Sequence, residues 1–240
     1  MSREIIHLWT PLALTPLLWI VLTLAAYLAA RKLQLLCGGA ALLNPVLVAI
    51  SVVAAVVLST GTCYKTYFAG AQFINFLLGP AIVALAVPLA RNLRHIRGLI
   101  GGIGLALLAG STSSIISGIG LVWLLGGSRA VALSMAPKAV TTPIAIAVSE
   151  QVGGIPALTA ALAIVGGIVA AIIGKSMLDR MRIVDWRAHG LAAGVAGSGV
   201  AAAQVASLDG LAAAFAALGI ALNGVVTAIL VPLIPIFWPG

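Results

Sequence analysis

The chain has 240 residues, of which 62% are hydrophobic and 8% charged, and carries a formal net charge of +8. Ordinary soluble domains are about 25% charged, so a water-solvated core is excluded. Lipid must solvate much of this surface, and lipid-exposed backbone is restricted to helices or closed barrels. The apolar runs are long and do not alternate, which gives an all-α polytopic membrane protein, read as a single domain over 1–240.

In chain order, six segments are long and apolar enough to be full transmembrane helices: 8–29, 40–59, 68–89, 99–125, 156–174 and 211–237. The first could pass for a signal peptide. However, Ser2-Arg3-Glu4 is not a basic leader, and Pro11 and Pro16 interrupt the run, so it reads as a retained span. Cys37 and Cys63 flank the second segment without metal-like spacing and without the look of a disulfide framework. Two further stretches, 130–152 and 189–208, are apolar but interrupted, and read as broken or re-entrant helices.

The basic residues gather in three connections: Arg31-Lys32, then Arg91, Arg94 and Arg97, then Lys175, Arg180, Arg182 and Arg187. They read as orientation signals, not as a nucleic-acid footprint. Two spans separate the first pair of connections, which therefore share a side. The third joins them only if 130–152 enters and leaves by one face. Gly167-Ile168-Val169-Ala170-Ala171-Ile172-Ile173 also resembles Gly224-Val225-Val226-Thr227-Ala228-Ile229-Leu230, and each copy follows an interrupted stretch. If each unit is a hairpin plus one span, consecutive copies point in opposite directions, an inverted repeat.

Within 130–152, half-helices over 131–140 and 143–152 would each cover about 15 Å, half the hydrocarbon thickness. Pro143 suits the first position of the second half-helix, and Thr141 or Thr142 its N-cap. Such a terminus would aim free N–H groups and a positive dipole end at the membrane centre, where an anion is the natural ligand. Lys138 lies beside the same break, where a lysine costs roughly 2.5–3.5 kcal/mol on insertion scales and usually lines a polar cavity. The alternatives are a lysine reaching back to the headgroups and a proline that only kinks a spanning helix. The second interruption, Gly197-Ser198-Gly199, offers Ser198 as N-cap of a half-helix running through Gln204, opposed to the first; its alternative is close helix packing. Asn223 and Gln72 either touch substrate or hydrogen-bond between helices, as Asn44 and Asn75 also could.

The acidic residues Glu4, Glu150, Asp179, Asp185 and Asp209 all fall near segment ends or in connections, so a carboxylate proton relay has no basis. His7, His95 and His189 are scattered. No nucleophile–base pattern, phosphate loop or metal cluster appears, so no enzyme chemistry and no cofactor is expected.

Two blocks carry a family resemblance. Tyr67-Phe68-Ala69-Gly70-Ala71-Gln72, with Leu77-Leu78-Gly79-Pro80-Ala81 and Val83-Ala84-Leu85-Ala86-Val87-Pro88-Leu89 after it, is one. Ala136-Pro137-Lys138-Ala139-Val140-Thr141-Thr142-Pro143-Ile144-Ala145, with Gly153-Gly154-Ile155-Pro156, is the other, and Leu222-Asn223-Gly224 closes the pattern. Together they resemble the LrgB (CidB/LrgB) family from about Asn44 onward. The resemblance implies either an antiholin- or holin-like regulator of murein hydrolase export and lysis, or a carrier related to the plastid glycolate/glycerate translocator and bacterial pyruvate facilitators. It also implies a small LrgA-like membrane partner, of which no portion is visible in this sequence. One departure stands out: a family His-Gly-x-Gly-Thr-like segment is replaced here by Ser198-Gly199-Val200-Ala201-Ala202, which removes a titratable group.

The expectation is thus a multi-pass protein of the cell (inner) membrane that passes a monocarboxylate such as glycolate, glycerate, lactate or pyruvate. Lys138, Thr141, Thr142, Pro143, Ser198 and Gly199 would hold the anion, with Asn223 and Gln72 as further candidates. The expected partners are that carboxylate, the lipid bilayer, the LrgA-like protein and further copies of the chain, and not nucleic acid.

Overall fold

The structure, a computed structural model, describes residues 15–38, 43–77, 98–237 and the positions 80, 83, 84, 87 and 90. His7, His95, Glu4, the connection holding Arg91, Arg94 and Arg97, and the Gly79 block lie outside the described residues. The chain divides into two compact units, Met1–Ala84 and Leu85–Gly240. The described residues are mostly helical, and four of their helices are long and apolar enough to cross a membrane: Pro16–Leu36, Ile100–Leu124, Pro156–Arg180 and Gly210–Leu233.

The first unit holds α1 (Pro16–Leu36), α2 (Pro45–Ser59) and α3 (Tyr64–Phe76). Trp19 of α1 is fully buried and meets Tyr67 of α3 edge-on, with ring centroids 5.6 Å apart. Gly70 makes this contact sterically allowed, because a Cβ there would collide with the indole. Ala26, Ala49 and Val53 close the α1–α2 seam. Two expectations change here. Arg31 and Lys32 sit inside α1 and not in a connection, since long straight side chains are good helix formers and carry their charges outward. Asn44 is an N-cap and not a mid-span residue: its Oδ1 accepts from the N–H groups of Val46 (2.9 Å) and Leu47 (3.3 Å). Cys37 and Cys63 are exposed free thiols.

The second unit holds α4 (Ile100–Leu124), α5 (Arg129–Met135), α6 (Thr142–Val152), α7 (Pro156–Arg180), α8 (Trp186–Ala206) and α9 (Gly210–Leu230), then a short turn of tighter helix, Val231–Leu233, and α10 (Ile234–Phe237). Pro137 has no N–H to offer the carbonyl four residues back, so α5 stops at Met135, earlier than the sequence reading places it. The chain continues in looser turns, with Lys138 N–H donating to Met135 O and Val140 N–H to Pro137 O. After α6 it is back beside α5. Ile155 N–H donates to Ser134 Oγ (2.7 Å), and Thr159 Oγ1 donates to Ser134 O (3.0 Å) and shares a hydrogen bond with the Ser149 hydroxyl (2.6 Å). All three hydroxyl residues are fully buried. Gly154 lies so close to Ser149 that a side chain would not fit. α5 and α6 are therefore two arms of one hairpin.

α8 is a second hairpin, turned back at Ser198, whose φ of 47° and ψ of −136° break the helix. Its first arm runs along α9 in the same direction, Gly190 pressed on Ala212 and Gly194 on Ala216. Its second arm returns, so that Ala202 and Val205 share a cluster with Ala212 and Ala216, and Trp186 packs on it. Asp185 caps the first arm, accepting from Arg187 N–H (2.9 Å), and hydrogen bonds from the Arg187 guanidinium hold its carboxyl below the usual carboxylate range.

The two hairpins enter from opposite ends of the unit. Val148 and Val152 of the first meet Ile115 of α4 and Val231 beyond α9. At the other end, His189 of the second bonds Ile183 O just past α7, while Val195 packs with Phe215 of α9 and Ile103 of α4. α7 thus runs against α9, and α4 runs with it. The contacts are also reciprocal: Gly167 of α7 faces the second hairpin's break at Gly197 and Val200, and Gly224 of α9 faces Ile144 in the first. Gly167 and Gly224 are the corresponding first positions of the two similar segments, 57 residues apart.

Replacing Gly194 by Val would drive a side chain into the Ala216 backbone. Overpacking of this kind costs about 1–3 kcal/mol or more, so a clear fall in the thermal midpoint in detergent is expected. Gly120→Ala, at a helical position with nothing within 4 Å of the new methyl, should leave that midpoint level or slightly raised.

Candidate functional site

Breaking two helices in a water-poor interior exposes carbonyls that lose their usual N–H partners. Asn223, near the middle of α9, supplies the missing donors. Its Nδ2 donates to Ala139 O in the first break (3.0 Å) and to Val195 O, three residues before the second (3.0 Å). Its Oδ1 accepts from Ser111 Oγ of α4, with Thr227 Oγ1 at 3.5 Å. The side chain is 1% exposed, so its whole hydrogen-bonding capacity is used inside the protein. Of the two roles open to Asn223 from the sequence, the geometry supports the linking one. It brings the tips of both hairpins to one point.

Lys138 lies at the first tip. Its Nζ donates to Ser114 O (2.7 Å) and Ser114 Oγ (3.3 Å), three residues along α4 from the serine that holds Asn223. Gly118, one turn further, leaves room for the ammonium: a Cβ there would stand 2.7 Å from Nζ. The lysine is turned inward against α4. An ammonium carries three N–H donors, and Ser114 takes two, which leaves one for a ligand.

Thr141 occupies the N-cap of α6, but its side chain makes no capping bond, and Pro143 falls within the first two helical positions. The first turn has no internal acceptors for its early amides, and Pro143 contributes none, so Thr142 and Ile144 are the open donors there. Ser198 begins the second arm of α8. Its Oγ is buried and has no protein partner. Gly199 beside it faces open space. Seven of the eight candidates thus belong to the second unit. Gln72 belongs to the first, on an exposed part of α3.

Sequence reasoning passed over the α4 residues Ser111, Ser114 and Gly118. The signal was present as Ser111-Thr112-Ser113-Ser114, a hydroxyl run within an otherwise apolar span. It also passed over Ser134, Ser149 and Thr159, which look unremarkable alone because each satisfies its bonds within the packed interior.

A model of the LrgB-like family matches residues 23–237. Proteins named "Antiholin-like protein LrgB" from Bacillus cereus (strain B4264) and Bacillus anthracis (strain CDC 684 / NRRL 3495) are 33% identical to the chain over 221 residues, covering 92% of this chain and 96% of each relative. No solved structure matches the chain.

Replacing Asn223 by Ala strands two buried carbonyls and the Ser111 hydroxyl. Each unmet buried group costs about 1–3 kcal/mol, so the second unit should lose several degrees of thermal midpoint and become protease-sensitive around 136–141 and 196–200. Asn223→Asp offers no N–H donor and should not rescue it. A midpoint unchanged in both variants would remove Asn223 from this role.

Proposed function

The chain belongs to the LrgB-like family, and we propose that it is a membrane transport subunit that passes small monocarboxylates (glycolate, glycerate, lactate or pyruvate) across the lipid bilayer. The observation that carries this reading is the meeting of two opposed, interrupted hairpins at Asn223, with Lys138 and an unpaired Ser198 hydroxyl beside the breaks. Interrupted helices that meet between inverted repeats are a common transporter plan. Helix N-termini and a lysine there favour an anion.

In this reading both hairpins are re-entrant, and their tips lie near the midplane. α6, at 11 residues, is about 16 Å long, half the hydrocarbon thickness. α4 begins and α7 ends at one end of the unit, and the basic residues there, Lys175, Arg180, Arg182 and Arg187, give that end to the cytoplasmic face. The substrate's charge is offset by Lys138 and by the N-termini after Thr141 and Ser198. The membrane is the cell (inner) membrane. A small LrgA-like protein and further copies of the chain are the proposed partners.

A second reading has direct support from the relatives' name: an antiholin-like role in control of lysis. The comparisons favour that reading, and the broken, lysine-bearing centre favours transport. A lesion former needs self-associating amphipathic spans and has no use for a charged, interrupted core.

Purified protein in liposomes, with its partner if required, should take up labelled pyruvate or glycerate saturably and retain large dyes. Lys138→Ala should lower uptake at least tenfold without moving the thermal midpoint; full uptake by that variant sinks the site, and dye leakage without saturable uptake favours a holin-like form of the lysis-regulator role. Topology is checked separately. In a background without Cys37 and Cys63, thiols at Arg129→Cys and Gln151→Cys should label from one face, and Leu208→Cys from the other. Labelling of the first two from opposite faces would refute the re-entrant hairpin.

A further inference from the structure

A hydroxyl with nothing to bond is the exception in this interior. Six hydroxyl side chains are buried among the described residues, and five have protein partners. Ser111 and Thr227 are on Asn223, Ser134 is on Ala130 O (2.6 Å), and Ser149 and Thr159 bond each other. The sixth, Ser198, is 8% exposed, and its Oγ meets neither donor nor acceptor. Buried side-chain polar atoms without a partner are few in native proteins, and each calls for an explanation. A serine inside a helix can donate to the carbonyl four residues back, as Ser134 does. The φ of 47° at Ser198 breaks the helix and takes that acceptor away. What remains is a hydroxyl at the head of the second arm, residues 199–206, whose early amides have no internal acceptors. The other orphan among the described residues, His189 Nδ1, is near the base of the first arm, in a ring already fixed through Nε2 on Ile183 O (2.7 Å).

Resting on the transport reading, we infer that Ser198 reads the oxygen on C2 of the substrate. The site then takes 2-hydroxy and 2-oxo monocarboxylates in preference to acids of the same length with a bare C2. One nitrogen, Asn223 Nδ2, donates to Ala139 O and to Val195 O at 3.0 Å each. The first break and Ser198 therefore face each other on the scale of one small acid. The carboxylate keeps to the first break, with its lysine and helix N-terminus, and the oxygen on the adjoining carbon meets the Ser198 hydroxyl. The ligand enters from the side of Gly199, which faces open space. A serine O–H donates to a 2-oxo oxygen, and its lone pairs accept from a 2-hydroxyl, so one residue serves both kinds. Glycolate, glycerate and lactate carry that hydroxyl, and pyruvate carries the oxo group. An acid without it would seal the serine against a methylene, and a polar group buried unpaired is unfavourable.

The test uses the full chain, with its partner if required, in nanodiscs for binding by calorimetry and in liposomes for uptake. Lactate and pyruvate are each compared with propionate, and glycolate with acetate, so that each pair matches in length and differs at C2. The oxygenated acid of each pair is expected to bind about fivefold more tightly, the scale of one neutral hydrogen bond. Ser198→Ala should bring the ratio of lactate to propionate affinity close to one. A structural role for the hydroxyl would instead weaken both acids and keep the ratio. Should Ser198→Ala fail to fold, Ser198→Gly takes its place, since it also removes the hydroxyl and suits the positive φ. The inference is overturned if propionate binds the unaltered chain as tightly as lactate, if neither binds, or if the preference survives loss of the hydroxyl. A preference that the variant abolishes, without saturable uptake, would sink the transport reading and leave the Ser198 assignment standing. Saturable uptake with no preference between lactate and propionate would do the reverse.

Discussion

A backbone that stops being helical inside an apolar interior must find new partners for its amides and carbonyls. In the second unit that demand falls twice, at residues 136–141 and at Ser198, and one side chain meets a large part of it. The Asn223 amide reaches a carbonyl on each side with its two hydrogens, while Ser111 fixes the oxygen and so the direction of the plane. The rest of the arrangement depends on this. Without that amide the tips have no shared support, and Lys138 has no fixed place against α4.

The supports differ in kind between the two hairpins. The first is held at its base by hydroxyls: Ser134, Ser149 and Thr159 tie α5, α6 and the start of α7 by short bonds that involve no formal charge. The second is held by proximity, with Gly190, Gly194 and Gly219 letting α8 and α9 approach almost backbone to backbone. Small residues are the usual means of bringing helices close in lipid, where apolar packing has no hydrophobic drive behind it. One hairpin is thus cross-linked and the other only closely packed, a difference in stiffness that the transport reading can use.

Much of this was legible in the sequence. Composition settled the membrane-helical class, and the breaks at Pro137 to Pro143 and at Ser198 announced themselves through proline, glycine and a lysine out of place. The inward turn of Lys138 was an expectation drawn from cost alone, and α4 is what realises it. Other features were not legible. Arg31 and Lys32 look like a connection but continue a helix, because charge at a span's end does not stop helical hydrogen bonding. Asn44 looks like a polar residue in a span and is a cap. Asn223 looks like one more membrane asparagine, since nothing local reveals that two carbonyls from distant segments converge on it. Tertiary partners, unlike periodicity, leave no mark in the residues beside them.

The two related segments differ at one telling place. Asn223 stands one residue before Gly224, and at the matching position before Gly167 stands Gly166. A pair of amides reaching for the same crossing point from α7 and α9 would compete for it, and only α9 carries one. Gly166 carries no side chain at all, so α7 adds no joint at that level. The two otherwise similar segments therefore differ in what they add to the interior: one supplies a joint, and the other leaves space.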